Sequence, residues 1–420
     1  QRVILLYPKL FMDFEKKRLK ICLLTHTLPR FSGDSSAPFI GELAEALSKR
    51  AEVFVLAPDD QAFRRDYKRS YKLLRYKYIL PPKFQTLGYS RTLKGDKTMG
   101  WLSYLLSPFL YFFATLALIR LIKREKIDII TAHWLLPNGF IALLAFLVTG
   151  VPYTVTIPGS DVYMASRNIL FKWMAGLAVK QAVWVISDSR YYLQELNQLG
   201  FYPDKSDIIR YGVDRTKFKR GKKNLKLLRR RNIFPDDVVI LAVGRLVAKK
   251  GFIYLVGAMP EILRLCPKVK LLLVGDGEER EKLKSLAKKL AVANKISFAG
   301  TVSFDELHEY YNLGNIFVMP SIKDEKGNVD ASPVAMMEAM MCGLSVVGTK
   351  YAAGDIAFPE PLMGVVVKEK NSLAIADAIC RLIREVGVGK DQVRRLAIRY
   401  FSLTKTANSY MEIFENVLKC

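Results

Sequence analysis

Short runs of apolar, largely β-branched residues recur along the chain, separated by longer stretches in which apolar positions return every three or four residues. In the first half the short runs fall at 20–25, 53–57, 127–132, 153–157 and 183–187; in the second half they fall at 238–243, 270–274, 295–299, 316–319 and 344–347. Stretches 39–49, 253–265, 278–291 and 332–342 carry the helical period between them. Strand and helix alternating in this way predict parallel sheets covered by helices on both faces, an α/β architecture. The alternation restarts after Gly212-Val213-Asp214, and a basic stretch, 217–231, follows it. Two Rossmann-like domains are therefore expected, 1–212 and 213–403, with a terminal helix at 404–420. A chain of 420 residues is long enough for two cores.

One apolar stretch breaks the rhythm. Residues 101–119 carry no charge and are rich in Leu and Phe, and Arg120, Lys123 and Arg124 follow. The length approaches a membrane span. Yet Ser103, Ser107 and Pro108 interrupt it, and a Rossmann-type strand resumes at 127. An interfacial or partly buried helix fits better than a crossing one. The preceding segment is cationic: Arg64, Lys68, Arg69, Lys72, Arg75, Lys77, Lys83, Arg91, Lys94 and Lys97 face few acids. Segment 61–124 is therefore expected to face an anionic membrane, each cation near the surface contributing about 1 kcal/mol.

Composition narrows the partners. The net charge of +25 favours anionic ones. No nucleic-acid signature accompanies it, so nucleic acid is not expected. Five scattered cysteines, without a C-x-x-C pair, and three histidines argue against a disulfide framework or zinc site and suit a reducing cytoplasm. The apolar stretch at 3–10 is short and interrupted, so no cleavable leader is expected there, and residues before Lys20 look peripheral.

Two constellations carry chemistry. In Leu241-Ala-Val-Gly-Arg-Leu-Val-Ala-Lys-Lys-Gly251 a strand ends, a glycine turn follows and a helix begins. Ligands of open parallel sheets bind beyond the carboxyl ends of strands. Arg245 and Lys250 in that loop, near a helix N-terminus, make a candidate diphosphate site. Asp330-Ala-Ser-Pro-Val-Ala-Met-Met-Glu338 sets one acid before a helix and one within it. Asp330 can face ligand hydroxyls, Glu338 another part of the same ligand, and the N–H groups of Ser332 and Val334 an anion. An ordinary acid before a helix, with a helix Glu, is the other reading, and on the residues alone both stay open. Leu273-Val-Gly-Asp-Gly277 lacks the dinucleotide fingerprint, which argues against an NAD enzyme. The methionines at 336, 337, 340 and 341 read as core. His26 reads as a satisfied loop histidine and His308 as surface.

With these two sites the sequence resembles the retaining glycosyltransferases of family four, of GT-B fold. The likeness continues in Pro29-Arg-Phe-Ser-Gly-Asp-Ser-Ser-Ala-Pro-Phe39, Ala132-His-Trp-Leu-Leu-Pro-Asn-Gly139, Thr154-Val-Thr-Ile-Pro-Gly-Ser-Asp-Val162, Tyr211-Gly-Val-Asp214, Phe298-Ala-Gly300 and Met319-Pro-Ser321. Each block is short; their order and spacing are specific. The resemblance implies two Rossmann-like domains facing each other across a cleft, and a nucleotide-sugar donor with a UDP or GDP base. Arg245 and Lys250 would hold the diphosphate, Asp330 the sugar hydroxyls and Glu338 the ribose. Backbone near Val302 would touch the base, and the loop at Gly33 would approach the phosphates. Asp34, His133 and Asp161 would lie on the acceptor side, His133 near the reacting sugar. No metal or other cofactor is implied, because the cations do the work of Mg²⁺. The terminal helix would return to the N-terminal domain. A lipid-linked or glycan acceptor and a peripheral place on the inner face of the plasma membrane are expected. Three positions depart from the family's pattern: Asp330 stands where Glu is usual, Pro158 where His is common, and Ala352-Ala-Gly-Asp-Ile356 where Gly-Gly-Ile-Pro-Glu is usual. They keep a second reading open, a degenerate GT-B protein that binds without turnover; an epimerase of the same fold is a minor third.

Overall fold

A computed structural model describes residues 18–64, 68–88, 101–354, 363–384 and 389–419. The chain builds two parallel sheets. The first takes strands β1 (Lys20–Leu24), β2 (Glu52–Pro58), β3 (Lys72–Tyr76), β4 (Ile129–His133), β5 (Tyr153–Ile157), β6 (Trp184–Ser187) and β7 (Ser206–Ile208), in the order β3-β2-β1-β4-β5-β6-β7. The second takes β8 (Val238–Val243), β9 (Val269–Val274), β10 (Ile296–Gly300), β11 (Ile316–Met319), β12 (Ser345–Thr349) and β13 (Gly364–Val367), in the order β10-β9-β8-β11-β12-β13. All paired strands are parallel. Central strands such as β1 and β8 are apolar at nearly every position because helices cover both their faces.

The helices of the first half are α1 (Pro38–Ser48), α2 (Trp101–Glu125), α3 (Phe140–Thr149), α4 (Ser160–Arg167), α5 (Ile169–Gln181) and α6 (Arg190–Gln198). Those of the second are α7 (Leu225–Arg230), α8 (Phe252–Leu265), α9 (Arg280–Lys289), α10 (Leu307–Leu313), α11 (Val334–Met341), α12 (Lys350–Ala353), α13 (Ser372–Arg384), α14 (Lys390–Phe401) and α15 (Leu403–Lys419). The chain passes between the domains twice at one place. Val213 N–H donates to the Phe401 carbonyl at 2.8 Å, and Leu403 N–H to the Val213 carbonyl at 3.0 Å. Beyond this crossing α15 packs on α1, burying Tyr410, Ile413 and Phe414 with Ile40, Leu43 and Leu47.

In each sheet the strand order reverses once, between β1 and β4 and between β8 and β11. Adjacent crossovers then leave on opposite faces, which opens a crevice at the carboxyl ends of those strands. The loops after β8 and β11 hold Arg245, Lys250 and Asp330; β4 ends on His133.

The cationic stretch folds differently from a bare charged surface. It contains β3, and three of its cations are engaged within the domain. Lys72 pairs with Glu52 at 2.6 Å, while Arg69 and Arg75 lie over the Phe63 ring at 5.6 and 4.0 Å. Guanidinium groups stack on aromatic faces readily, so these arginines stabilise the fold. Lys68, Lys77 and Lys83 remain exposed; Arg91, Lys94 and Lys97 lie outside the described residues. Within α2, Leu105–Glu125 is long and apolar enough to cross a membrane, with about a third of it buried. It nevertheless joins β3 to β4 of one sheet and packs Leu106, Leu110, Ala114, Leu118 and Leu121 into that domain's core.

Candidate active site

The loop after β8 brings Arg245, Lys249 and Lys250 to the crevice. Its last residue, Gly251, has φ +67 and starts α8; a Cβ there would stand 2.0 Å from the Pro320 carbonyl oxygen. Only glycine lets the chain turn so close to the loop after β11. Across the gap Lys250 Nζ donates to Asp330 Oδ2 at 2.5 Å, both side chains largely buried. Burial alone would raise the Asp330 carboxyl, but Lys250, Lys249 and Arg245 outweigh it and hold the group below the usual carboxylate range. Three cations thus face one carboxylate at the switch point, a field suited to a polyanion.

Glu338 lies one helix deeper, on α11. Tyr311 of α10 donates to its Oε2 at 2.6 Å. Burial pushes its carboxyl up to about 7, against the pull of that hydrogen bond and of Lys217 and Lys250. Ser332 and Val334 stand at the start of α11, which has no side-chain cap.

The N-terminal domain closes on this site through the β1–α1 loop. The Gly33 carbonyl accepts from Phe304 N–H at 3.2 Å, and Ser32 Oγ donates to Asp305 Oδ2 at 3.1 Å. Gly33 and the Val302 segment therefore share one lip. Asp34 is bound within the same loop. It accepts from Arg30 N–H at 3.0 Å, Arg30 Nε at 2.7 Å and Ser36 Oγ at 2.9 Å, so its carboxylate holds its own loop in shape.

His133 is fully buried, its Nδ1 2.7 Å from the Tyr211 hydroxyl and its ring stacked 6.1 Å from Tyr410. Burial drives it down to about 3, so it is neutral, and its Nε2 has no hydrogen-bond partner among the described residues. Asp161 accepts from the N–H groups of Leu135 at 2.5 Å and Gly159 at 3.1 Å; burial pushes it up to about 6 against those bonds. His133 and Asp161 thus stand at the ends of neighbouring strands, but each is turned inward. Asn138 Nδ2 donates to the His133 carbonyl at 2.6 Å and lies 3.1 Å from His26 Nδ1, while the His26 ring meets Trp134 at a tilt, 4.6 Å between centroids.

Sequence reasoning missed three groups. Tyr192 of α6 crosses between domains: its hydroxyl accepts from Ala331 N–H at 3.1 Å and donates to the Val329 carbonyl at 3.3 Å, bracketing Asp330. Gly159, at φ +125, makes room for its ring, which a Cβ would meet at 2.1 Å. Tyr311 fixes Glu338. Glu42 of α1 faces Glu338 across the cleft; burial first, then repulsion from Glu338 and Asp214, pushes it up to about 8 against Lys217. Amphipathic helix patterns conceal all three, since a polar residue on a helix face reads as solvated. Beside Tyr192 a small interdomain cavity of about 50 Å³ is lined by Val162, Tyr163, Tyr191, Lys249 and Val329.

Comparison with known proteins identifies the family. Residues 37–217 match the pattern described as Glycosyltransferase Family 4, and residues 225–394 match Glycosyl transferases group 1. An uncharacterised glycosyltransferase of Methanocaldococcus jannaschii is 26% identical over 273 residues, 63% of this chain and 68% of that protein. A GDP-mannose-dependent alpha-(1-6)-phosphatidylinositol monomannoside mannosyltransferase of Mycobacterium tuberculosis is 30% identical over 173 residues, 41% of this chain and 45% of that one. The match thus spans less than half of the mannosyltransferase's length. Among solved structures, HepE of Anabaena in complex with UDP-glucose superposes with a TM-score of 0.72 at 17% identity, over 95% of this chain and all of the other. Both halves of the sequence and the two facing sheets therefore place the chain in glycosyltransferase family four, group 1, with the GT-B fold.

Proposed function

We propose that this glycosyltransferase moves a hexose from a UDP- or GDP-sugar to a lipid-linked acceptor in glycolipid or polysaccharide synthesis, with retention of configuration. The observation that carries the reading is the convergence of Arg245, Lys249 and Lys250 on Asp330 at the switch point. The acceptor hydroxyl oxygen attacks the anomeric carbon as the bond to the diphosphate breaks, and the departing phosphate oxygen takes the proton. Charge grows on the diphosphate, so fixed cations stabilise the transition state more than the ground state. Asp330 and Glu338 are assigned to hydroxyls of the sugar and ribose. The names of the similar proteins support the reading: one uses GDP-mannose on a phosphatidylinositol mannoside, and one binds UDP-glucose. Cytoplasmic, peripheral attachment to the inner face of the plasma membrane completes the proposal. A thermal-shift screen of nucleotide sugars, with donor hydrolysis as the turnover readout, tests it; a specific donor at a hundred times its Kd adds about 2.7 kcal/mol of stability.

A second reading, binding without turnover, is favoured by the inward-turned His133 and by Pro158 at the mouth of β5. A nucleotide sugar that raises Tm while no sugar is released would support it.

Metal independence is part of the same proposal, because Arg245, Lys249 and Lys250 would meet the charge of the leaving diphosphate. Activity should survive EDTA; complete loss, restored by Mn²⁺, would reassign the acids as ligands.

The raised Glu338 carboxyl sets a pH dependence. Ribose hydroxyls donate to the carboxylate, while burial favours the acid below about 7. Donor affinity should therefore rise as pH increases through 7. Tyr311→Phe removes a hydrogen bond that favours the charged form, so the midpoint should move further up. Isothermal titration between pH 5.5 and 8.5 reads both; a pH-independent Kd would remove Glu338 from the ribose.

A further inference from the structure

Among the described residues, the N-terminal domain leaves an apolar face uncovered. On α2, Leu105 and Phe112 are 58% and 63% exposed, and Phe109 stands between them. Their spacing of four and three puts them on one stripe, which continues to the exposed cations Arg120 and Lys123. On α5, Ile169 is 89% and Trp173 58% exposed, with Leu170 beside them. Between these helices lies α3, whose Phe140 meets Tyr111 of α2 edge-on at 5.7 Å and Trp173 of α5 at 6.3 Å. Three rings thus join the exposed stripes of α2 and α5 into one surface.

We infer that α2 and α5, bridged by Phe140, form a docking face that enters the interfacial layer of an anionic lipid bilayer. Charge decides the occupant. Glu125 is the only acid in α2, α3 and α5, and it is bound to Arg124 at 2.8 Å; Arg120, Lys123, Lys172 and Lys180 are exposed. A second copy of this face would meet its own cations, whereas an anionic surface attracts them and accepts the apolar side chains between them. Tryptophan beside exposed lysine suits the headgroup boundary, where an amphipathic ring keeps its polar edge wet.

The position relative to the site deepens the proposed lipid-linked acceptor, and this part rests on that reading. Helix α4 carries Asp161 in its first turn and ends at Asn168, whose side chain accepts from Leu170 N–H at 2.8 Å and starts α5. The eight residues of α4 span about 12 Å at 1.5 Å each. The apolar edge at Ile169 therefore lies one short helix from the reaction crevice, a reach that suits a sugar or phosphate headgroup whose lipid stays in the bilayer.

Flotation of the full chain with phosphatidylglycerol–phosphatidylcholine vesicles, against phosphatidylcholine alone, tests the face. Wild type should float with the anionic vesicles and far less with the neutral ones. Ile169→Glu with Leu170→Glu should abolish flotation, and Lys172→Gln and Lys180→Gln should each weaken it about fivefold. Brominated lipids should quench tryptophan emission in wild type and much less in Trp173→Phe. Donor hydrolysis should be unchanged in all these variants, which separates docking from folding and chemistry. Absence of wild-type flotation at low salt, or full flotation of the Ile169/Leu170 variant, overturns the inference. So does a concentration-dependent dimer that the same substitutions dissolve, since the face would then join two copies. Docking without transfer to any lipid acceptor would leave the face standing and remove the lipid-linked reading.

Discussion

Arg245→Ala is expected to lower turnover by ~100-fold or more while leaving the fold intact, the scale of losing one preorganised donor to a developing oxyanion. The side chain is exposed at the crest loop after β8, so its removal opens no core cavity. It also helps keep Asp330 ionised. If it acts on the leaving diphosphate, the loss should fall mainly on kcat, with a smaller weakening of donor affinity, because charge on the phosphates grows along the reaction. Arg245→Lys should recover only part of the rate, since an ammonium cannot offer the planar fork that matches two phosphate oxygens. Steady-state kinetics with circular dichroism as the fold control reads this. Unchanged kcat and donor Kd in Arg245→Ala would remove the residue from the site.

Much of this architecture was legible because parallel sheets are buried on both faces. Strands β1, β4, β5, β8, β9, β11 and β12 announce themselves as continuous apolar runs, and the loops at their carboxyl ends pointed to Arg245, Lys250, Asp330 and Glu338. The edge strands β3, β7 and β13 did not. In β3 and β7, residues such as Lys72, Arg75 and Asp207 are charged and exposed or half-buried, as edges are when they discourage further pairing, whereas β13 is a run of only four residues, Gly364–Val367. The same property made a strand look like a cationic surface loop. His133 shows another limit: the direction of a polar residue at a strand end depends on partners distant in sequence, here Tyr211 and Tyr410. Tyr192 was hidden for the same reason: its partners Val329 and Ala331 belong to the other domain. The exposure of α5 was equally out of reach, because lysines interrupt its apolar residues and only packing against α3 shows which side is uncovered.

Lys250 and Asp330 are expected to be strongly coupled in function, and a double-mutant cycle should show how. They are bound to each other at 2.5 Å, so each offsets part of the other's charge. Lys250→Met leaves Asp330 facing the donor phosphates with less compensation, and Asp330→Asn leaves the lysine free to move. Each single change should cost ~100-fold in kcat/KM, the scale of a lost charge-assisted contact in a dry site. The double variant distinguishes two roles for the acid. If Asp330 only orients Lys250, the second substitution removes nothing further, and the double variant should be no worse than Lys250→Met. If Asp330 also accepts hydrogen bonds from sugar hydroxyls, the double variant should lose a further factor, and the loss should depend on the sugar. Donors lacking one hydroxyl would then be discriminated by wild type but not by Asp330→Asn, because a site built to bind a hydroxyl is penalised when it is absent. Asp330→Glu sharpens the distinction. The extra methylene lengthens the reach to the sugar but pushes against Lys250, whose neighbour Gly251 abuts the Pro320 carbonyl. A sugar-reading acid should tolerate or gain from that reach with an altered donor preference, while an orienting acid should lose rate uniformly across donors. Strictly additive losses in the cycle, with donor preference unchanged in every variant, would show that the Lys250–Asp330 ion pair has no part in catalysis.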